Sequence, residues 1–287
     1  MNCFFVSDLH GREPLYDRLF ALVAAERPAA VFCGGDLLPG GFGLADDGGA
    51  STGGGFIESC LVPGLVRLRR ELGDAYPRVF LIFGNDDPRC AERLLAPAIG
   101  AGLVDYVHGA RADLAGFDVY GYACVPPTPF PWKDWERYDV ATCAGEGCLS
   151  PEDGFRSVPV DASDIRRATI ASELETLTAG ADLSRAIVLF HAPPHGSVLD
   201  RAGFDLRPTR PAQAEVHVGS LAVRRFIEGR QPLVTLHGHI HESARLSGSW
   251  RERIGRTWAL GAAHGGPELC VVRFDPGCPD RATRELL

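Results

Sequence analysis

Five short polar clusters stand where apolar runs of the 287-residue chain stop. They read Asp8-Leu9-His10, Gly34-Gly35-Asp36, Gly84-Asn85-Asp86-Asp87, the single His191, and His237-Gly238-His239-Ile240-His241. Taken singly they say little: Asp-x-His arises by chance, and a lone histidine is usually a hydrogen-bonded core residue, which is the reading given to His108, His217 and His264. Gly-His-x-His says more, because two imidazoles two residues apart at a strand end point the same way and can reach neighbouring metal ions. As an ensemble the clusters have no comparable structural explanation. Carboxylate and amide oxygens buried beside four imidazoles without a metal would leave unpaired polar groups at high cost.

The elements that must carry these residues follow from periodicity. Residues 3–6, 29–33, 79–83, 117–120, 186–190 and 233–236 are short runs rich in Val, Ile and Phe, as expected of strands buried on both faces. Helical spacing predicts helices over 13–25, with Pro14 near the start and Leu15, Leu19 and Leu22 on one face, and over 57–72, 88–95, 164–177 and 220–228. Strand and helix alternate in the first half, which predicts an α/β fold. In such sheets ligands bind in the crevice at the carboxyl ends of the strands, and six of the nine histidines lie at or just beyond those ends. His237 precedes the Gly-His-x-His pair by alternation and is expected to point away from it or into the core. Two segments break the rhythm. Residues 39–55 hold eight glycines and read as a loop insertion; 125–161 holds six prolines with Trp132 and Trp135, and its length suits a lid or binding loop.

In this order and at these strand ends, the series Asp8-x-His10, Gly35-Asp36, Gly84-Asn85, His191 and Gly238-His239-x-His241 resembles the calcineurin-like metallophosphoesterases. The likeness runs from residue 8 to residue 241, and the trailing strands to about Arg273 fit the same fold. It implies a four-layer αββα sandwich of two mixed sheets, formed as one domain over 1–287 with loop insertions at about 39–55 and 125–161. It also implies two divalent metal ions: Asp8, His10 and His241 on the first, Asn85, His191 and His239 on the second, and Asp36 as the bridge. Mixed oxygen and nitrogen ligands suit Mn, Fe or Zn, whereas hard Ca2+ does not choose imidazoles. Two such cations lower the pKa of a bridging water and clamp phosphoryl oxygens during in-line displacement.

Two positions depart from the family pattern. Many members carry His after Gly-Asn, where it resembles a general acid; here that residue is Asp86, which is ionised near neutral pH unless burial raises its pKa. His195, in the stiff turn His191-Ala192-Pro193-Pro194-His195-Gly196, is the candidate replacement, so His195 and Asp86 are the catalytic candidates and Asn85 and His195 the candidate substrate contacts. Asp87 reads as a residue that supports the ligands or caps a helix. The Gly35-Asp36-Leu37-Leu38-Pro39 segment lacks a further Asp common in the family.

Composition narrows the function classes. Against 29 Lys+Arg stand 37 Asp+Glu, a formal charge of -8, so a protein whose main business is coating nucleic acid is not expected. Nine cysteines, an odd number without a CxxC pair, argue against a disulfide framework or zinc ribbon and suggest reduced, mostly buried thiols. No signal peptide and no membrane span is visible, which places the protein in the cytoplasm. Gly49-Ala50-Ser51-Thr52-Gly53 matches the nucleophile-elbow pattern only formally, lacking a strand before it, and no Gly-Lys-Ser/Thr supports a P-loop. Trp132 and Trp135 beside Lys133, Arg137 and Arg156 offer either a stacking platform for a nucleotide-like substrate or, more simply, an anchor for the insertion. The expectation is a metal-dependent phosphoric ester hydrolase acting on a small phosphodiester or phosphomonoester. The competing readings are a non-catalytic metal-binding scaffold for protein interactions on the same fold, and a nuclease.

Overall fold

The computed structural model describes residues 1–40, 54–203 and 215–287. Most of the glycine-rich insertion, including the Gly49–Gly53 pattern, lies outside the described residues.

The fully apolar runs form the sheet interiors. In chain order the strands are β1 (Cys3–Val6), β2 (Ala30–Gly34), β3 (Arg78–Ile82), β4 (Asp105–Tyr106), β5 (Arg111–Leu114), β6 (Phe117–Tyr122) and β7 (Ala186–Phe190). There follow β8 (Arg201–Gly203), β9 (Glu215–His217), β10 (Val234–His237), β11 (Arg251–Ile254), β12 (Thr257–Gly261), β13 (Cys270–Phe274) and β14 (Thr283–Leu286). One six-stranded sheet has the order β14-β13-β1-β2-β3-β4 and the other β11-β12-β10-β7-β6-β5, with β8 and β9 forming a separate hairpin. Strands β1 to β4 run parallel, as do β6, β7, β10 and β12; β13, β14, β5 and β11 join antiparallel at the flanks. Both sheets are therefore mixed, and with helices outside them they make the expected four-layer sandwich. The sheets and the helices packed on them share one apolar core that includes Phe4, Phe32, Phe80, Val119, Val188 and Leu236. Burial of such side chains at about 25 cal/mol per Å2 is the main term holding the layers together.

Several helix expectations are refined. The predicted 13–25 helix is Glu13–Glu26. The 57–72 helix opens as a π turn, Ile57–Leu61, before Val62–Leu72, where Pro63 cannot donate to the carbonyl four residues back. The predicted 164–177 helix is two, Ala162–Arg167 and Ile170–Leu177, because Thr169 breaks it with a capping box to Ser172. The 88–95 segment is a 3-10 helix, Arg89–Leu95. The thiols are free, as expected, but only Cys3, Cys33, Cys124 and Cys270 are buried; Cys143 and Cys278 are exposed. Among the described residues no helix is long and apolar enough to cross a membrane.

The 125–161 insertion has no helix or long strand, yet it is closed by its own buried polar cluster. Lys133 Nζ donates to Glu136 Oε2 at 2.5 Å and to the Thr128 carbonyl at 2.8 Å. Trp135 is buried between Phe83 and His108, and its Nε1–H donates to the Asp87 carbonyl at 2.8 Å. The tryptophan thus anchors the insertion directly behind the β3 loop. Lys133 is spent in its ion pair and Arg137 bonds Glu173 at 3.3 Å.

Candidate metal centre

The carboxyl ends of β1, β2, β3, β7 and β10 meet at one edge of the two sheets. Asp8, His10, Asp36 and His241 converge there so that one ligand atom from each lies within 4.8 Å of the others. Asp36, His191 and His239 form a second such group, and Asp36 belongs to both. His10 Nε2 and His241 Nε2 are 3.1 Å apart, His241 Nε2 is 3.3 Å from Asp8 Oδ1, and His191 Nε2 is 3.4 Å from Asp36 Oδ2.

Backbone strain marks the same residues. Seven non-glycine residues have positive φ among those described; Arg27 and Gln231 close helices and Ala115 turns a hairpin. The other four are Asp8 (φ 59°), His10 (46°), Asp36 (51°) and His239 (73°). A left-handed conformation costs of order 1 to 3 kcal/mol and clusters at functional sites, here aiming side chains back over the strand ends. The glycines of the motifs serve close approach instead. A Cβ on Gly84 would sit 2.3 Å from Asp36 Oδ1, and one on Gly238 would sit 2.1 Å from Ser7 Oγ.

The donor set fits a cation. His191 Nδ1–H donates to the Gly34 carbonyl at 2.8 Å, so in the neutral ring Nε2 carries the lone pair. Asn85 Nδ2 donates to Asp86 Oδ1 at 3.1 Å, which turns Asn85 Oδ1 toward His191 Nε2 at 3.0 Å. Two acceptors facing each other at that distance need a proton or a metal ion between or beside them. The electrostatics agree: burial opposes charge on His191, but Asp36 and Asp8 outweigh it and raise its pKa to about 10. Burial likewise pushes Asp36 up, and the pull of His191, His10 and His239 overcomes it, leaving the carboxyl well below its usual range. The cluster attracts positive charge.

Asp86 and Asp87 differ in role. Asp87 is fully buried and accepts from the backbone N–H of Leu37 (3.0 Å), Leu38 (2.7 Å) and Gly84 (2.8 Å), tying the β2 and β3 loops together. Burial and the Asp36 charge push its carboxyl up to about 8 against those donors. Replacing Asp87 with Ala strands three buried N–H groups, so a loss of about 3 kcal/mol or more is expected, read as a lowered urea midpoint. Asp86 is half-buried, its N–H donates to Asp36 Oδ1 at 2.8 Å, and its carboxylate lies 3.6 Å from His10 Nδ1. Burial and Asp36 raise its pKa to about 7.

His195 is not part of the cluster. It stands 45% exposed on the loop beyond His191, with Nδ1 3.7 Å from Asp200 Oδ2. His237 is buried as expected, bonded to the Ala192 carbonyl and Thr235 Oγ1 and stacked on Phe190. His108 is held by the Ala123 N–H and by Trp135, whereas the core reading fails for two others. His264, itself only partly buried, pairs with the partly buried Glu268, and His217 is 40% exposed with Nδ1 2.7 Å from a fully buried Asp200. The sequence offered no signal for that pair, whose members are 17 positions apart.

Two mixed sheets with a carboxylate and imidazole cluster at their strand ends define a metallophosphoesterase type of protein. The chain belongs to the calcineurin-like phosphoesterase family, whose model matches residues 1–243. No curated protein matches it in sequence. Among solved structures it is similar to protein TT1561 of Thermus thermophilus, at a TM-score of 0.55 and 15% identity, covering 99% of this chain and 98% of that one. It is also similar to a dimetal phosphatase from Danio rerio (TM-score 0.51, 14% identity, 95% and 91% covered). A third is the phosphopantetheinyl hydrolase of Mycobacterium tuberculosis (0.50, 14%, 93% and 90%). At these identities the likeness concerns the fold.

Proposed function

We propose that this protein is a two-metal phosphoesterase that hydrolyses a small phosphodiester or phosphomonoester. In this reading Asp8, His10 and His241 hold one divalent ion, Asn85, His191 and His239 the other, and Asp36 spans both. The observation that carries it is the sharing of Asp36 between two ligand groups, each with atoms within 4.8 Å. The dimetal character of the Danio rerio structural neighbour supports the stoichiometry. When bound, Mn, Fe or Zn ions would supply a low-pKa water as nucleophile and polarise the phosphoryl oxygens.

The protein's own groups prepare that chemistry. The Gly34 carbonyl orients His191, and Asp86 lies against His10. Cations at the ligands would draw the Asp86 pKa down again, so an ionised Asp86 orients its neighbours and does not donate a proton. That favours diesters or activated phosphate compounds. A nucleotide-like substrate stays among the candidates, but not through stacking on the buried Trp135. The negative overall charge supports neither a nucleic-acid groove nor a nuclease.

The test is turnover of chromogenic phosphomonoesters and phosphodiesters with Mn2+, Zn2+ or Mg2+, and with chelator. Metal-dependent hydrolysis of at least one ester is expected. Metal binding by calorimetry with no turnover on any ester would instead favour the scaffold reading.

A pH prediction follows from His191. Its raised pKa means that below about pH 10 the free site carries a proton that a metal must displace. Metal affinity is therefore expected to fall as pH falls, with protons released on binding. Titration calorimetry in buffers of different ionisation enthalpy measures the release; none at pH 7 would count against it.

A further inference from the structure

A second cluster of titratable groups lies outside the proposed ligands. Asp200 is fully buried and accepts the N–H groups of Gly196 (2.9 Å), Ser197 (3.0 Å) and Gly219 (3.1 Å). Among the described residues it also accepts from His217, whose Nδ1–H donates to Oδ1 at 2.7 Å. With the Asp200 oxygen accepting, the proton of that bond sits on Nδ1 and Nε2 is the outward ring nitrogen of His217. The ring is 40% exposed, and the His195 ring stands edge-on to it with centroids 5.9 Å apart. His195 is the weaker partner of the carboxylate, its Nδ1 lying 3.7 Å from Oδ2.

The chain ties this cluster to the rim of the metal centre from two sides. Beyond β7 and His191, the Ser220 N–H donates to the Pro193 carbonyl and the His195 N–H to the Ser220 carbonyl, both at 2.9 Å. Four residues from His191 to His195 span at most about 14 Å. On the other side the β8–β9 hairpin, in which Arg201 pairs with His217, reaches the residue after His241: the Gly203 N–H donates to Glu242 Oε1 at 3.2 Å. An imidazole locked by a buried carboxylate, partly open to solvent and tied to the segments that follow His191 and His241, is built to deliver or take a proton at Nε2.

We propose that His217 is the proton donor to the leaving group, with Asp200 as its positioning residue. This rests on the phosphoesterase reading above, and it accounts for Asp86 at the position where many family members carry His. As an oxygen from water bonds to phosphorus and gives up its proton to solvent, the bond from phosphorus to the leaving oxygen breaks and its electron pair goes to that oxygen. The oxygen takes the proton from His217 Nε2, whose N–H pair returns to the ring as a lone pair. Asp200 balances the imidazolium charge before transfer, and the neutral ring, still donating from Nδ1, regains its proton from water. Among the described residues the charged and titratable groups around His217 are Asp200, His195 and, paired with it across the two strands, Arg201.

The experiment compares metal-loaded wild type and His217→Ala on esters with a good leaving group, p-nitrophenolate, and on otherwise similar alkyl esters. A good leaving group needs little protonation, so the variant is expected to lose about a hundredfold or more in kcat on alkyl esters but only a few fold on p-nitrophenyl esters. Added imidazole should restore part of the alkyl activity, which a structural defect would not allow. Asp200→Asn, which keeps the side-chain shape, should show the same selective loss with metal affinity by calorimetry unchanged. An equal loss on both ester types, no loss, or a selective loss with His195→Ala in place of His217→Ala overturns the proposal. Wild type that hydrolyses no ester overturns the phosphoesterase reading itself, which is a different result.

Discussion

Asp36→Asn is expected to lower kcat/KM by roughly a thousandfold or more and to remove metal-dependent stabilisation. The reason is geometric and electrostatic together. Asp36 Oδ2 lies 3.4 Å from His191 Nε2 and 4.0 Å from His10 Nε2, so the same carboxylate faces both ligand groups. Its Oδ1 accepts the Asp86 N–H at 2.8 Å, which would leave Oδ2 to the proposed cations. An amide of the same shape keeps one carbonyl oxygen but loses the charge that would offset the mutual repulsion of the two proposed cations. Thermal unfolding with and without Mn2+ separates this from simple misfolding. At metal a hundredfold above Kd, wild type should gain about 2.7 kcal/mol, and Asp36→Asn far less. A variant that folds, gains the full stabilisation and still turns over would remove Asp36 from the bridging position.

Gly84→Ala should be nearly as damaging, although it adds one methyl group and no charge. The backbone at Gly84 has no left-handed conformation to forbid alanine; the obstacle is space. The new Cβ would lie 2.3 Å from Asp36 Oδ1, 2.5 Å from the Asp36 nitrogen and 2.6 Å from His191 Cε1. None of these can retreat cheaply, because His191 is pinned through Nδ1 to Gly34 and Asp36 sits in a strained turn at φ 51°. Either the β2 and β3 loops part, breaking the Asp87 bonds that join them, or Asp36 and His191 swing out of register. A loss of about 2 kcal/mol in stability and at least a hundredfold in activity is expected, by urea unfolding and ester hydrolysis respectively. Unchanged metal affinity and activity in Gly84→Ala would mean that the Asp36 and His191 positions are far softer than their contacts imply.

Both substitutions act on residues that were visible in the sequence, and the reason is local. A run such as Cys3–Val6 or Ala186–Phe190 is apolar because it is buried on both faces, so a polar residue marks where the strand leaves the core. Asp8, Asp36, Asn85 and His191 follow such ends at once, and chain direction in a parallel sheet then puts them at one edge. The boundaries were less legible where local preferences compete. Thr169 could continue a helix or cap one, and it caps. The flanking strands β11 to β14 alternate or mix burial, so they carry a weaker pattern than the interior runs.

Pairings between distant residues were not legible at all. Whether Lys133 meets substrate or Glu136, whether Trp135 stacks a base or donates to the Asp87 carbonyl, and whether His217 is core or surface depend on which segments fold against each other. Residue type and spacing determined where the polar clusters fall and the edge on which they stand, since burial periodicity is a property of a few consecutive residues. Only the tertiary structure decided that Asp87 clasps two loops from 50 positions away and that Asp200 holds His217 across a hairpin. Those are hydrogen bonds between groups that the linear chain leaves far apart, and they exist only once the backbone has closed around them.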